Sequence, residues 1–244
     1  MRMNLLAAAV ALALFATGAH AGTVLSDTFD SENGGMTALN YTGFANFNVI
    51  AAPGDGVDLV ETGDDGIVCA GGSGSCVDLD GAPGPAGIVS KTAYAFDAGD
   101  LLTLSFQIAG NQRNSDSNTF FGGFLFSNTT VVSDLSGGGA YNSTAVLPGP
   151  YTLAGVTDGG VTSGGSQPFE TYTFSLRPLD AGAVRAWIGT NDTGNVGPLL
   201  DNVSLSISPA PEPATWATML LGVGMIGAGQ RTARRSNNLA LTAA

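Results

Sequence analysis

A two-residue alternation of apolar and polar side chains, repeated along the middle of the chain, limits the fold more than any other feature. In Leu101–Ala109, Leu102, Leu104, Phe106 and Ile108 share one face, and Thr103, Ser105 and Gln107 share the other. Successive side chains of a strand point to opposite sides, so such a run buries one face of a sheet and wets the other. The same period places Tyr172, Phe174 and Leu176 together in 169–176, and Val203, Leu205 and Ile207 together in 199–207. In 183–189 it puts Val184, Ala186 and Ile188 on one face and Arg185 with Trp187 on the other. Shorter strands are expected over 24–29, 47–50, 57–60, 76–79, 88–95 and 120–126. No helical period runs through this stretch, and Gly, Asn, Asp and Pro break it often. Many short strands between turn residues predict an all-β chain, an antiparallel β-sandwich of the jelly-roll type. The stretch 127–167 is rich in loops, with two short strands expected near Thr129 and Tyr151. Long irregular stretches of this kind serve as binding loops or as spacers.

The two ends have a different character. Met1-Arg2-Met3-Asn4 carries one positive charge and leads into the apolar run 5–16, followed by Ala19-His20-Ala21. A basic start, an apolar run and a small-x-small site are the regions of a secretory signal peptide. Residues 1–21 are therefore expected to be removed by the general secretion machinery. At the other end, Pro209, Pro211 and Pro213 stop the last strand and keep a linker extended. The apolar run 214–229 is short for a permanent membrane span, and Arg231, Arg234 and Arg235 follow it. Arginines in that place hold the cytoplasmic end of a transmembrane helix.

Between these ends, 22–210 holds four basic residues (Lys91, Arg113, Arg177, Arg185) against nineteen acidic ones, a formal charge of −15. Such a surface repels phosphates, which argues against nucleic-acid binding. Cys69 and Cys76 flank a Gly/Ser loop, and in an oxidising compartment they are expected to form a local disulfide. The chain's one histidine, His20, lies in the leader, so neither a Ser-His-Asp nor a Cys-His machine can be assembled after export. No Gly-x-Ser-x-Gly elbow or phosphate-cradling lysine loop is present. The chain is therefore read as non-enzymatic, with a hydrolase using two carboxylates as the remaining catalytic reading.

The C-terminal arrangement resembles the PEP-CTERM sorting signal: Pro211-Glu212-Pro213, a short span, then Arg231, Arg234 and Arg235, over 209–235. The resemblance implies recognition by an exosortase and transient anchoring in the inner membrane. Delivery to the cell surface or to an exopolysaccharide or biofilm matrix would follow. The tail 236–244 departs from the usual ending, and a plain single-span anchor is the competing reading. The phrases Gly56-Val57-Asp58-Leu59-Val60, Cys76-Val77-Asp78-Leu79-Asp80-Gly81 and Leu199-Leu200-Asp201-Asn202-Val203 resemble exported proteins with a galactose-binding-like sandwich, over most of 22–208. In related carbohydrate-binding modules an early acidic turn and a late Asp hold a structural calcium, and the matching positions here are Asp30, Glu32 and Asp201. Carboxylate and carbonyl oxygens suit that ion. Asp78-Leu79-Asp80-Gly81 lacks the ligands of an EF-hand and reads as a turn after a strand.

A sugar needs an aromatic platform with polar groups beside it. Trp187, Tyr141 and Tyr151 are the candidates, with core filling as the alternative for Trp187. The expected function is a surface or matrix protein associated with exopolysaccharide; a carbohydrate-binding module with an aromatic site is the second reading.

Overall fold

The computed structural model describes residues 21–51, 54–81, 84, 86–126, 129–132, 145–148 and 161–210; for 129–132, 145–148 and 161 it describes the backbone only. Contacts gather Ala21–Pro209 into one compact unit. Among the described residues fourteen strands follow one another: β1 (Gly22–Asp27), β2 (Phe47–Ala51), β3 (Asp58–Glu61), β4 (Ser75–Asp78), β5 (Ala86–Ser90), β6 (Tyr94–Phe96) and β7 (Leu101–Ala109), then β8 (Asn118–Phe126), β9 (Thr129–Val132), β10 (Ala145–Pro148), β11 (Val161–Ser163), β12 (Glu170–Leu176), β13 (Gly182–Thr190) and β14 (Leu199–Ser208). They form two antiparallel sheets, so the chain is all-β and folds as a sandwich, as its alternation predicts.

One sheet runs β12-β7-β14-β4-β3, with β1 also paired to β14. The other runs β10-β9-β8-β13-β5-β2, with β11 on β8 and β6 on β13. Each is built on a long central pair. In the first, β7 pairs along β14, while β1 and β4 share the far edge of β14. In the second, β8 pairs along β13, while β5 and β6 share its far edge.

The apolar faces meet between the sheets. Leu102, Leu104, Phe106 and Ile108 of β7 enclose one core with Phe120 and Phe124 of β8 and Val184, Ala186 and Ile188 of β13. Burying such side chains is the main force that holds the layers together, about 1.5–3 kcal/mol for each large one. Phe106 stands over Gly122 of β8, where a Cβ would meet its ring atoms at 2.5 and 2.6 Å. The missing side chain is the hole that this ring fills.

The outer face of the first sheet carries hydroxyls in register. Thr173, Ser105, Ser204 and Ser26 form one row, and Ser175, Thr103, Ser206 and Thr23 form the next. Cross-strand contacts such as Thr103 Oγ1 to Ser175 Oγ at 3.1 Å tie the rows together. No charged side chain interrupts either row, although the unit as a whole is strongly acidic.

Some expected boundaries shift for local reasons. The strand expected over 24–29 ends at Asp27, whose carboxylate accepts the Phe29 N–H at 2.9 Å. Phe29 then takes a positive φ of 58° and drops its ring into the core against Phe44 and Phe47. The single strand expected over 88–95 is two, because the Ser90 hydroxyl donates to the Thr92 carbonyl at 2.9 Å and turns the chain between β5 and β6. A strand does start at Thr129, while the one expected near Tyr151 lies outside the described residues. The signal peptide (1–21, described only at Ala21) and the C-terminal span likewise lie outside them. Among the described residues no helix is long and apolar enough to cross a membrane.

Candidate functional site

Two groups of carboxylates are folded into the first sheet and its edges. The first surrounds Asp201 on β14, 2 % exposed. Its carboxylate accepts the N–H of Asn202 at 2.7 Å and of Ala70 at 3.1 Å. Burial pushes its pKa up to about 7, the two amides oppose this, and the carboxylates of Asp30 and Asp27 add to it. Asp30 and Asp27 therefore stand near enough to Asp201 for their charges to act on it. Glu32 is engaged elsewhere: it accepts the Ala45 N–H at 2.7 Å and the Tyr41 hydroxyl at 3.4 Å.

The Cys69–Cys76 disulfide forms, with Cα atoms 5.5 Å apart. Gly71, Gly72 and Gly74 between the two cysteines take positive φ values of 76° to 80°, which glycine adopts without steric cost. The bond fixes the loop whose Ala70 amide reaches Asp201, and Ser75 beside it donates its N–H to Asp30 at 3.0 Å.

The second group lies where β3 and β4 pair. Asp58 and Asp78 are direct cross-strand partners, and Asp80 follows in the turn after β4. All three are buried. Asp78 is well satisfied: one oxygen accepts the N–H of Asp80 at 3.0 Å and of Gly197 at 2.9 Å, and the other pairs with Arg113. Among the described residues this is the one ion pair. Even so, burial raises the Asp78 pKa to about 6, and the Asp58 charge adds to the rise. Asp58 is raised too, by burial first, with the Asn40 amide and Arg113 opposing.

Asp80 is different. It is 1 % exposed, and neither of its carboxylate oxygens accepts a hydrogen bond of normal geometry. Burial, then the charges of Asp78 and Asp192, push its pKa to about 7, and the nearby Gly194 amide offsets this in part. The sequence reading of this stretch as a turn is right about the backbone, yet it missed the buried acids. The signal was present as Asp58 and Asp78 at equivalent places in two similar phrases. Among the described residues, no three His, Cys, Asp or Glu side chains are grouped closely enough to hold a metal ion by themselves.

Trp187 lies on the outer face of the second sheet, away from the core between the layers, as its alternation predicts. There it stacks on Phe121 with ring centroids 6.5 Å apart and packs with Val89 and Leu125. It is only 4 % exposed, so a sugar could stack on it only after a rearrangement. Arg185, on the same face, donates to the carbonyls of Ser90 and Lys91. Tyr141 and Tyr151 lie outside the described residues, as do Pro211, Glu212, Pro213, Arg231, Arg234 and Arg235.

The PEP-CTERM protein-sorting motif matches residues 209–235. It begins at the residue after β14 and implies export and processing by an exosortase. No curated protein matches the sequence. The fold is similar to that of a Stig cyclase, Fisc, from Fischerella sp. TAU, solved with an indole compound. The two are 14 % identical over 79 % of this chain and 100 % of that one, with a TM-score of 0.50. An apo form of a cyclase from Fischerella sp. is similar at 12 % identity over 79 % of this chain and 98 % of that one, with a TM-score of 0.50. The CBM22-1 xylan-binding domain of Paenibacillus barcinonensis Xyn10C is 10 % identical over 78 % of this chain and 97 % of that one, with a TM-score of 0.44. At these identities the likeness concerns the fold alone.

Proposed function

We propose that residues 22–208 form a non-enzymatic surface or matrix domain, handed by an exosortase to the cell exterior and held against exopolysaccharide there. The observation that carries this reading is the sorting motif at 209–235, which starts where the last strand stops. The rows of hydroxyls on the outer face of the first sheet support it, because an uncharged, hydrogen-bonding surface suits a neutral polysaccharide without the repulsion an acidic face would give a charged one. A non-catalytic role agrees with the loss of His20 along with the leader and with the bonded cysteine pair. Calcium would sit at Asp30 and Asp201, with Asp27 beside them, and clamp the first strand to the last.

The test is the intact mass of protein extracted from the cell surface. The expected product lacks residues 1–21 and everything beyond a cut near Pro211–Pro213. A cytosolic protein with both ends retained overturns the reading. Retention of the chain on the host's own exopolysaccharide, lost when Ser105 and Thr173 are both changed to Glu, tests the binding half. Equal retention of both proteins refutes it.

A further inference from the structure

We propose that Asp80 anchors a second divalent-cation site, of the oxygen-liging calcium class, at the end of β4 and apart from Asp30 and Asp201. Three carboxylates, Asp58, Asp78 and Asp80, are buried together, and among the described residues Arg113 is the one cation paired with any of them. Arg113 is committed to Asp78, and its second contact is the Asn195 carbonyl at 3.4 Å. The charged groups that act most on Asp80, namely Asp78, Asp192 and Asp55, are all negative. A buried ionised carboxylate without a partner is strongly disfavoured, so the site must gain either a proton or a cation.

The surroundings favour the cation. Neither buried Asp80 oxygen accepts a hydrogen bond of normal geometry, so a proton would quench the charge and still leave the carbonyl oxygen without a donor. That oxygen would remain unsatisfied, which is costly in itself. A cation engages both oxygens at once and also relieves the repulsion from Asp192 and Asp55. Among the described residues Asp192 accepts on Oδ2, from the Thr119 N–H at 2.8 Å, and its other oxygen is to spare. Because no three acidic side chains converge, backbone carbonyls and water complete the shell, as calcium permits. The turn 194–197 is built to lie close: a Cβ on Gly197 would stand 2.6 Å from the Asp80 backbone nitrogen, and one on Gly194 would stand 3.1 Å from Asp80 Oδ2.

The full-length chain, purified in mild detergent and stripped with EDTA, is titrated with calcium chloride by calorimetry while its melting temperature is followed. Asp80→Asn removes one binding step and the part of the melting shift that goes with it, and Asp201→Asn leaves that step in place. Asp192→Asn, with Asp80 intact, weakens the same step several-fold. An unchanged number of steps in Asp80→Asn overturns the proposal, as does an Asp80→Asn chain that is more stable than the parent without calcium while the parent shows no step of its own. Should Asp80→Asn fail to fold, an unchanged affinity in Asp192→Asn overturns it equally.

Discussion

Gly122→Ala should destabilise the sandwich even though it adds a single methyl group to a strand. The added carbon would stand 2.5 and 2.6 Å from two ring atoms of Phe106, against an ordinary carbon contact of about 3.5–4.0 Å. The ring would have to retreat by about 1 Å. Phe120 and Tyr172 stand around it with centroids 6.3 and 6.2 Å away, so it has little room to do so. Overpacking of this kind costs about 1–3 kcal/mol. Loss of the unfolded chain's glycine freedom returns about 0.4–1 kcal/mol. The net loss is then about 1–2 kcal/mol, or roughly 2–8 °C in melting temperature for a domain of this size. Urea unfolding of the single mutants and of Gly122→Ala/Phe106→Leu measures the coupling directly. With the ring gone, the alanine should cost almost nothing, so the double mutant should be more stable than the sum of the singles predicts by about 1 kcal/mol or more. Strict additivity, or a stabilising Gly122→Ala, would refute the account of Gly122 as the hole for Phe106.

Three further outcomes follow from the buried polar groups and the outer cluster. Arg113→Met leaves the Asp78 carboxylate buried without its cation and should cost about 3 kcal/mol, less at low pH where Asp78 takes up a proton, as read by denaturant melts. In the presence of chelator, burial keeps Asp80 and Asp201 protonated in the folded chain up to about pH 7, whereas an unfolded Asp releases its proton near 3.9. The folded state therefore holds more protons in that window, so stability should fall as pH rises from about 4 to about 7 and level off above it; a melting temperature that climbs across the range contradicts this. Trp187→Ala should cost about 3–5 kcal/mol because the ring is packed rather than presented, and a change under 1 kcal/mol by the same melts would instead mark a free surface ring.

The long strands were legible because each buries one face against the other sheet. β7, β12, β13 and β14 all lie within a residue or two of where their alternation places them. Periodicity says which side of a strand a residue takes, but not what lies above that side. Trp187 and Arg185 were thus assigned correctly to one outer face, while the burial of the tryptophan could not be read. The acids were hidden for a related reason. Asp80 stands in an Asp-Gly pair typical of exposed turns, yet Gly194 and Gly197 approach it closely from far along the chain. Asp27 escaped notice as the end residue of a strand, although pairing with Val203 sets it near Asp201. The split of β5 from β6 rests on one hydroxyl, that of Ser90, which no hydrophobic pattern records.

Strand β14 occupies the middle of its sheet, yet it is the last strand to be made and the last to leave the cell in a chain secreted from its N-terminus. Until Leu199–Ser208 has emerged, β7 has no neighbour on one side and β1 has none at all. A domain exported behind the expected leader would therefore cross as an unclosed chain and close only when translocation reaches the residues just ahead of the sorting motif. Completion of folding and arrival of the sorting motif would then be tied to the same moment.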